Sequence, residues 1–238
     1  MIESNQKLQM GECLELMRRI PDNSYDLAIV DPPQGNGEAR RISKKSGQTS
    51  GGHPVAKGNY DLVEWDNERP GPEYFQELFR ISKNKIIWCA IYYTDLLPAS
   101  RGWIVWDKCN GSSSFGDCEL AWTSFDQPVR KVTFMWNGHQ QGRSLKNEYV
   151  QQGNKKLNEK RIHPTQKPVK LYEWILENYA KPGDRIIDTH AGSASSLIAC
   201  YNLNFEALGI EVDPAMHRKA SDRLWKVQRQ LRAFITNA

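Results

Sequence analysis

A mostly parallel, doubly wound α/β sheet is the fold predicted by this 238-residue sequence. Three features carry that expectation. Short apolar runs alternate with amphipathic stretches near both ends of the chain, the pattern of strands joined by helices. Three of the runs close on an acid, at Asp31, Asp188 and Glu211, where a doubly wound sheet opens its ligand crevice. A polar, basic middle with weak periodicity separates the two alternating ends.

In order along the chain, "KLQM" (7–10) predicts a strand, "ECLELMRRI" (12–20) an amphipathic helix, and "YDLAIV" (25–30) a buried strand ending at Asp31, where Pro32 and Pro33 stop it. Gln34 to Pro70 is rich in Gly, Ser and Lys without apolar periodicity, which predicts a long loop of the functional or disordered kind. "PEYFQELFRIS" (72–82), with Pro72 near its start, reads as a helix and "KIIWCAIY" (85–92) as a strand. "GWIVWDK" (102–108) and "CELAWTSF" (118–125) are aromatic-rich strands suited to a half-buried, pleated surface. After Pro168, "VKLYEWILENYA" (169–180) is a helix. Turn, strand, tight turn, helix and strand follow to Asp213, and a long amphipathic helix closes the chain from Pro214 to Phe234. The expected organisation is one domain in two halves, 1–110 and 161–238, with 111–160 inserted between them.

Composition excludes several function classes. No apolar run approaches the roughly 20 residues that span a bilayer, and the start "MIESNQKLQM" has neither the basic nor the apolar region of a secretory signal. Cys13, Cys89, Cys109, Cys118 and Cys200 form no C-x-x-C pair, which argues against a disulfide framework and fits a reducing cytoplasm. The five histidines, at 53, 139, 163, 190 and 217, form no H-x-x-x-H pair, so no metal is expected. Gln127 to Lys170 holds ten Lys or Arg against Glu148 and Glu159, while the whole chain is only +4. That segment is either a polyanion-facing surface or a solvated insertion, and charge alone leaves both open.

Three constellations carry chemistry. In "DRIIDTHAGSAS" a strand ends at Asp188 and the small residues Ala191, Gly192, Ser193 and Ala194 let backbone approach a ligand; a second strand ends at Glu211, whose carboxylate can accept both ribose hydroxyl hydrogens. Only one glycine of G-x-G-x-x-G is present, so S-adenosylmethionine (AdoMet), which has no phosphate, fits this crevice better than NAD. "RIHPTQKP" is either a rigid turn into a helix or a means of setting Lys167 against an anionic group. "VDPPQ" presents Asp31 rigidly beside the same crevice.

The ordered set resembles the β group of amino-methylating DNA methyltransferases, a Rossmann-like AdoMet fold with circularly permuted motif order and an inserted target-recognition region. The resemblance aligns Asp31, Pro32, Pro33 and Gln34 with the catalytic D/S/N-P-P-aromatic motif. It aligns His163-Pro164-Thr165-Gln166-Lys167-Pro168 with the group's element before its AdoMet turn, Asp188 to Ser195 with D-P-F-x-G-S-G-T, and Glu211 with the ribose-binding acid. "GECLELM" is similar to the G-D-C-L segment that lines the cofactor adenine, with Glu12 in the place of the acid. The resemblance implies AdoMet held by Glu12, Cys13, Asp31, His163, Thr165, Lys167, Asp188, His190, Ala191, Gly192, Ser193 and Glu211, and methyl transfer to adenine N6 of a base flipped from double-stranded DNA; the alternatives are a catalytically weak or inactive AdoMet- and DNA-binding protein, or a methyltransferase acting on cytosine N4 or on RNA. It also implies that Asn and Gln of the middle segment read base edges while its Lys and Arg hold phosphates. Three departures stand out: Thr189-His190 for Pro-Phe, Ala194-Ser195 for Gly-Thr, and Gln34 for the ring that stacks on a flipped base. Tyr60, Tyr92 and Tyr93 are candidate replacements for that ring. Cytosine C5 chemistry is excluded, since no cysteine follows a proline. Monomer and homodimer are equally compatible with the sequence.

Overall fold

A computed structural model describes residues 5–36, 49–50, 53–54, 68–110, 116–137 and 140–236. Most of the loop predicted over 34–70, Tyr60 included, and the start of the middle segment lie outside the described residues. The strands are β1 (Gln6–Met10), β2 (Tyr25–Val30), β3 (Thr49–Ser50), β4 (His53–Pro54), β5 (Ser82–Trp88), β6 (Trp103–Asp107), β7 (Cys118–Thr123), β8 (Arg130–Thr133), β9 (Trp136–Asn137), β10 (Gln140–Ser144), β11 (Asn147–Gln151), β12 (Arg185–Asp188) and β13 (Glu206–Glu211). The α-helices are α1 (Cys13–Met17), α2 (Pro72–Ile81), α3 (Val169–Tyr179), α4 (Ser195–Asn202) and α5 (Pro214–Thr236).

Eight strands form one sheet in the order β1-β13-β12-β2-β5-β7-β6-β8. Among them only β7 runs against the rest, pairing antiparallel with β5 and β6. The order steps from β13 and β12 straight to β2, so the two chain halves interleave into a single sheet, as the alternating pattern predicts. Residues of β2 and β5 point alternately to two cores. Leu27, Ile29, Ile86 and Trp88 join one with Leu171, Ile175 and Leu176 of α3, Leu197 and Ile198 of α4, and Leu224 of α5. Ala28, Val30 and Ile87 join the other with Met17 of α1 and Tyr74, Phe75 and Leu78 of α2. Burial on both faces is why these strands read as continuous apolar runs rather than alternating ones.

Two expected boundaries move. The strand read over 85–92 stops at Trp88, because Cys89 takes a left-handed conformation (φ 55°) and opens a 3-10 turn over Ala90–Tyr92. Within 111–160, β7 and β8 belong to the main sheet, whereas β9, β10 and β11 form a small sheet of their own. The small sheet is tied back by the Trp136 indole, which donates to the Gln166 carbonyl at 2.7 Å, and by the Gln141 amide, which donates to the Glu159 carbonyl (2.8 Å) and accepts from its N–H (2.7 Å). No helix among the described residues is long and apolar enough to cross a membrane.

Candidate active site

The carboxyl ends of β1, β13, β12 and β2 lie side by side, which brings Glu12, Glu211, Asp188 and Asp31 to one edge of the sheet. At β12, Asp188 Oδ1 accepts the His190 N–H (3.0 Å) and Oδ2 accepts the Ser196 hydroxyl (2.5 Å). Burial pushes its carboxyl up to about 7 despite those bonds. The turn that follows needs two left-handed residues, Gly192 (φ 49°) and Ala194 (φ 59°). Its Gly192 N–H donates to Glu211 Oε2 at 2.9 Å, and the other oxygen accepts the Asp213 N–H at 2.8 Å. Gly209 of β13 lets this turn close down: a methyl there would stand 2.7 Å from Leu197 Cδ1 and 3.0 Å from Ala191 Cβ.

Beside this crevice lies a cavity of about 430 Å³ lined by Glu12, Cys13, Pro33, Arg69, Tyr74 and His190. Glu12 caps α1, accepting from the Leu14 and Glu15 N–H groups at 2.9 and 2.7 Å. Although burial works against it, these bonds hold its carboxyl below the usual range. Burial, with Glu12 adjacent, pushes the Cys13 thiol up to about 12. His190 lies edge-on to Tyr74 with centroids 5.2 Å apart, and the Tyr74 and Thr189 hydroxyls are 2.7 Å apart. Burial depresses the His190 imidazole to about 4, so it is neutral at physiological pH.

Asp31 stands at the end of β2 with Lys167 Nζ 2.5 Å from Oδ2; the same ammonium lies 3.1 Å from Glu119 Oε2 of β7. Glu119 Oε1 in turn meets Lys108 Nζ at 3.0 Å. Burial pushes the Asp31 carboxyl up against the pull of Lys167, and Glu119 adds to the rise. Two carboxylates outweigh burial at Lys167 and keep it protonated well above neutral pH. The Tyr93 hydroxyl lies 2.7 Å from both the Pro32 and Pro33 carbonyl oxygens, to which it donates. Gln34 donates from Nε2 to Cys89 Sγ (2.9 Å) and accepts from Asn36 Nδ2 (2.9 Å).

Residues 60–222 match the family described as DNA methylase. The chain belongs to that family. As an amino-methylating DNA methyltransferase of the α/β class, its cofactor is AdoMet. It is 24% identical over 245 residues to the type II methyltransferase M.HpaI of Haemophilus parainfluenzae, covering 92% of this chain and 74% of that protein. Its fold resembles that of the M1.HpyAVI-SAM complex (TM-score 0.54, 20% identity, 92% of this chain and 99% of that one). It also resembles the cytosine-N4-specific PvuII DNA methyltransferase (TM-score 0.55, 14% identity, 95% and 92%).

The residues of this methylase fit such a cofactor. A carboxylate at the end of β13, whose oxygens each keep acceptor capacity beyond one backbone N–H, suits a ribose diol. Met10, paired with Glu211 in the sheet, and Val212, the next residue, are exposed apolar side chains beside it. In the H-P-T-Q-K-P turn, His163 Nδ1 lies 3.3 Å from the Thr165 N–H and 3.1 Å from its hydroxyl. Burial, with Lys167 nearby, takes the His163 imidazole to about 4. Gln166 bonds Ile162 and Glu159. The turn is thus rigid, and the anionic group facing Lys167 here is the protein's own Asp31. Glu159 also receives Arg223 of α5 at 2.5 Å, and Arg223 donates to the Ser193 carbonyl at 2.6 Å, bracing the crevice turn from behind.

Of the candidate rings, Tyr93 is fully buried, packs on Phe75 and is engaged by the proline carbonyls, so it offers no face to a base. Tyr92 is exposed. Sequence reasoning missed Glu119 and Cys89 beside Asp31, and Lys108 beside Glu119. The available signal was an acid one residue into the otherwise apolar "CELAWTSF", a local conflict of the kind that marks functional sites.

Proposed function

We propose that the protein transfers the AdoMet methyl group to N6 of an adenine flipped out of duplex DNA. The observation that carries this reading is the Asp31 carboxylate at the end of β2, on backbone stiffened by two prolines, with one oxygen toward Lys167 and beside it the Pro32 carbonyl, which accepts the Tyr93 hydroxyl and has a second lone pair. An exocyclic amine is a poor nucleophile because its lone pair is delocalised into the ring. Asp31 and the Pro32 carbonyl accept its two hydrogens, draw the nitrogen toward tetrahedral geometry and aim the lone pair at the crevice. Bound AdoMet would supply an electrophilic methyl group, its C–S bond breaking to leave a neutral thioether, and the Asp31 carboxylate takes the proton that the amine gives up. Glu211 receives the ribose hydroxyls, and the turn from Ala191 to Ser193 orients the rest of the cofactor. Rate then comes from positioning and from acceptors that need no reorganisation.

Asp rather than Ser at position 31 favours adenine over cytosine N4 by the family resemblance. Duplex engagement falls to the small sheet and its flank, where Arg143, Lys146, Lys155, Lys156 and Lys160 are exposed and suited to phosphates. Gln141 drops out as a base reader, because its amide is spent on Glu159.

The test is to incubate the protein with labelled AdoMet and duplexes of varied sequence, then identify modified nucleosides by mass spectrometry. N6-methyladenine is expected, and Asp31→Ala should lower its formation by at least a hundredfold. N4-methylcytosine in its place would move the target to cytosine, and no modified base on any duplex would sink the reading.

A further inference from the structure

Four charged side chains meet behind the proposed reaction centre: Asp31, Lys167, Glu119 and Lys108, in that order, with contacts of 2.5, 3.1 and 3.0 Å. Two acids and two bases make the group formally neutral, which suits an enclosed place where a lone charge would be costly. Both ammonium groups lie over indoles, Lys167 5.4 Å from the Trp88 ring centroid and Lys108 5.9 Å from that of Trp106. Glu119 Oε2 is shut off from solvent and faces the Lys167 ammonium at 3.1 Å. An ammonium held by Asp31 alone could slide across both of that carboxylate's oxygens and compete for them with an incoming amino group.

We propose that Glu119, backed by Lys108, is a positioning residue for methyl transfer: it anchors the Lys167 ammonium between two carboxylates, so that Asp31 is steadied and keeps acceptor capacity for the target amine. This rests on the methyl-transfer reading above. Asp31 is faced by Lys167 ahead of α3, Glu119 on β7, Cys89 after β5, Asp188 on β12 and Tyr172 on α3. Of these, Glu119 holds the Asp31 carboxyl up and Lys167 pulls it down. Removing the Glu119 charge therefore lowers the pH at which Asp31 ionises.

The experiment compares the full-length wild type with Glu119→Gln and Glu119→Asp. Glu119→Gln should lower kcat at least tenfold with AdoMet affinity and DNA KM within about twofold, and Glu119→Asp should recover part of the loss. The acid limb of the kcat profile should move to lower pH. In parallel, the Asp31 carboxyl is titrated by 13C NMR in wild type and Glu119→Gln, where a downward displacement is expected with or without turnover. If the wild type methylates no nucleic acid, the functional reading falls while the titration still decides whether Glu119 acts on Asp31. Wild-type kcat in Glu119→Gln, or an Asp31 titration unmoved by the substitution, would overturn the proposal. Should Glu119→Gln fail to fold, Glu119→Ala takes its place: wild-type kcat and an unmoved Asp31 titration there overturn the proposal.

Discussion

At Tyr93 one hydroxyl serves two carbonyls, and the side chain is wholly enclosed. Its removal should therefore be felt through the proline pair rather than through the cofactor. Tyr93→Phe is expected to cost about one hydrogen bond, roughly 0.5–1.5 kcal/mol. A fall in kcat of about three- to tenfold should follow in steady-state methylation assays, with AdoMet affinity by calorimetry unchanged. The sequence made Asp31, Pro32 and Glu211 legible because strand-end acids and prolines leave local marks. It could not show that Tyr93 is a prop and not a platform, since that depends on β5 ending at Trp88 and on the left-handed Cys89 that follows it. Gln34 was equally ambiguous until Cys89 and Asn36 were seen to occupy its amide.

Among the elements, the crevice turn between β12 and α4 retains the backbone demand of the glycine it lacks. Ala194 sits in the left-handed region at φ 59°, which costs an L-residue about 1–2 kcal/mol. Ala194→Gly relieves that strain and loses about 0.8 kcal/mol of methyl burial, so the melting temperature should hold or rise. Gly209→Ala should have the opposite effect: the added methyl meets Leu197, Ala191 and Leu8 at 2.7 to 3.1 Å. A melting temperature that fell for Ala194→Gly, or held for Gly209→Ala, would contradict this account of the turn. The elements best read from sequence were those with long, regular periodicity, such as α2, α3 and α5, or with apolar runs on both faces, such as β2 and β5. Short strands such as β8 to β11 are selected by partners far along the chain, Trp136 with Gln166 and Gln141 with Glu159, and a local pattern does not contain those pairings.

The whole molecule carries opposed proton linkages. His163 and His190, depressed by burial from 6.5 to about 4, stay neutral when folded and take up protons on unfolding. Each therefore contributes stability that rises between about pH 4 and 6.5, by roughly 3 kcal/mol. Asp188, raised from 3.8 to about 7, keeps a proton that the unfolded chain releases, so its contribution of roughly 4 kcal/mol is present at low pH and lost as pH climbs to 7. The two histidines thus supply a rise in the urea midpoint from pH 4.5 to 6.5, and Asp188, with Asp31 and Glu211, whose carboxyls burial also raises, supplies a fall. His190→Phe removes one of the two and should flatten that rise; an unchanged slope would rule out His190 as a source. The turn at Ser193 leans on Arg223 and, through Glu159, on the small sheet made well before either. Until the ribosome has released residue 223 and α5 has docked, that turn lacks its brace, so the ability to hold cofactor should be one of the last properties the nascent chain acquires.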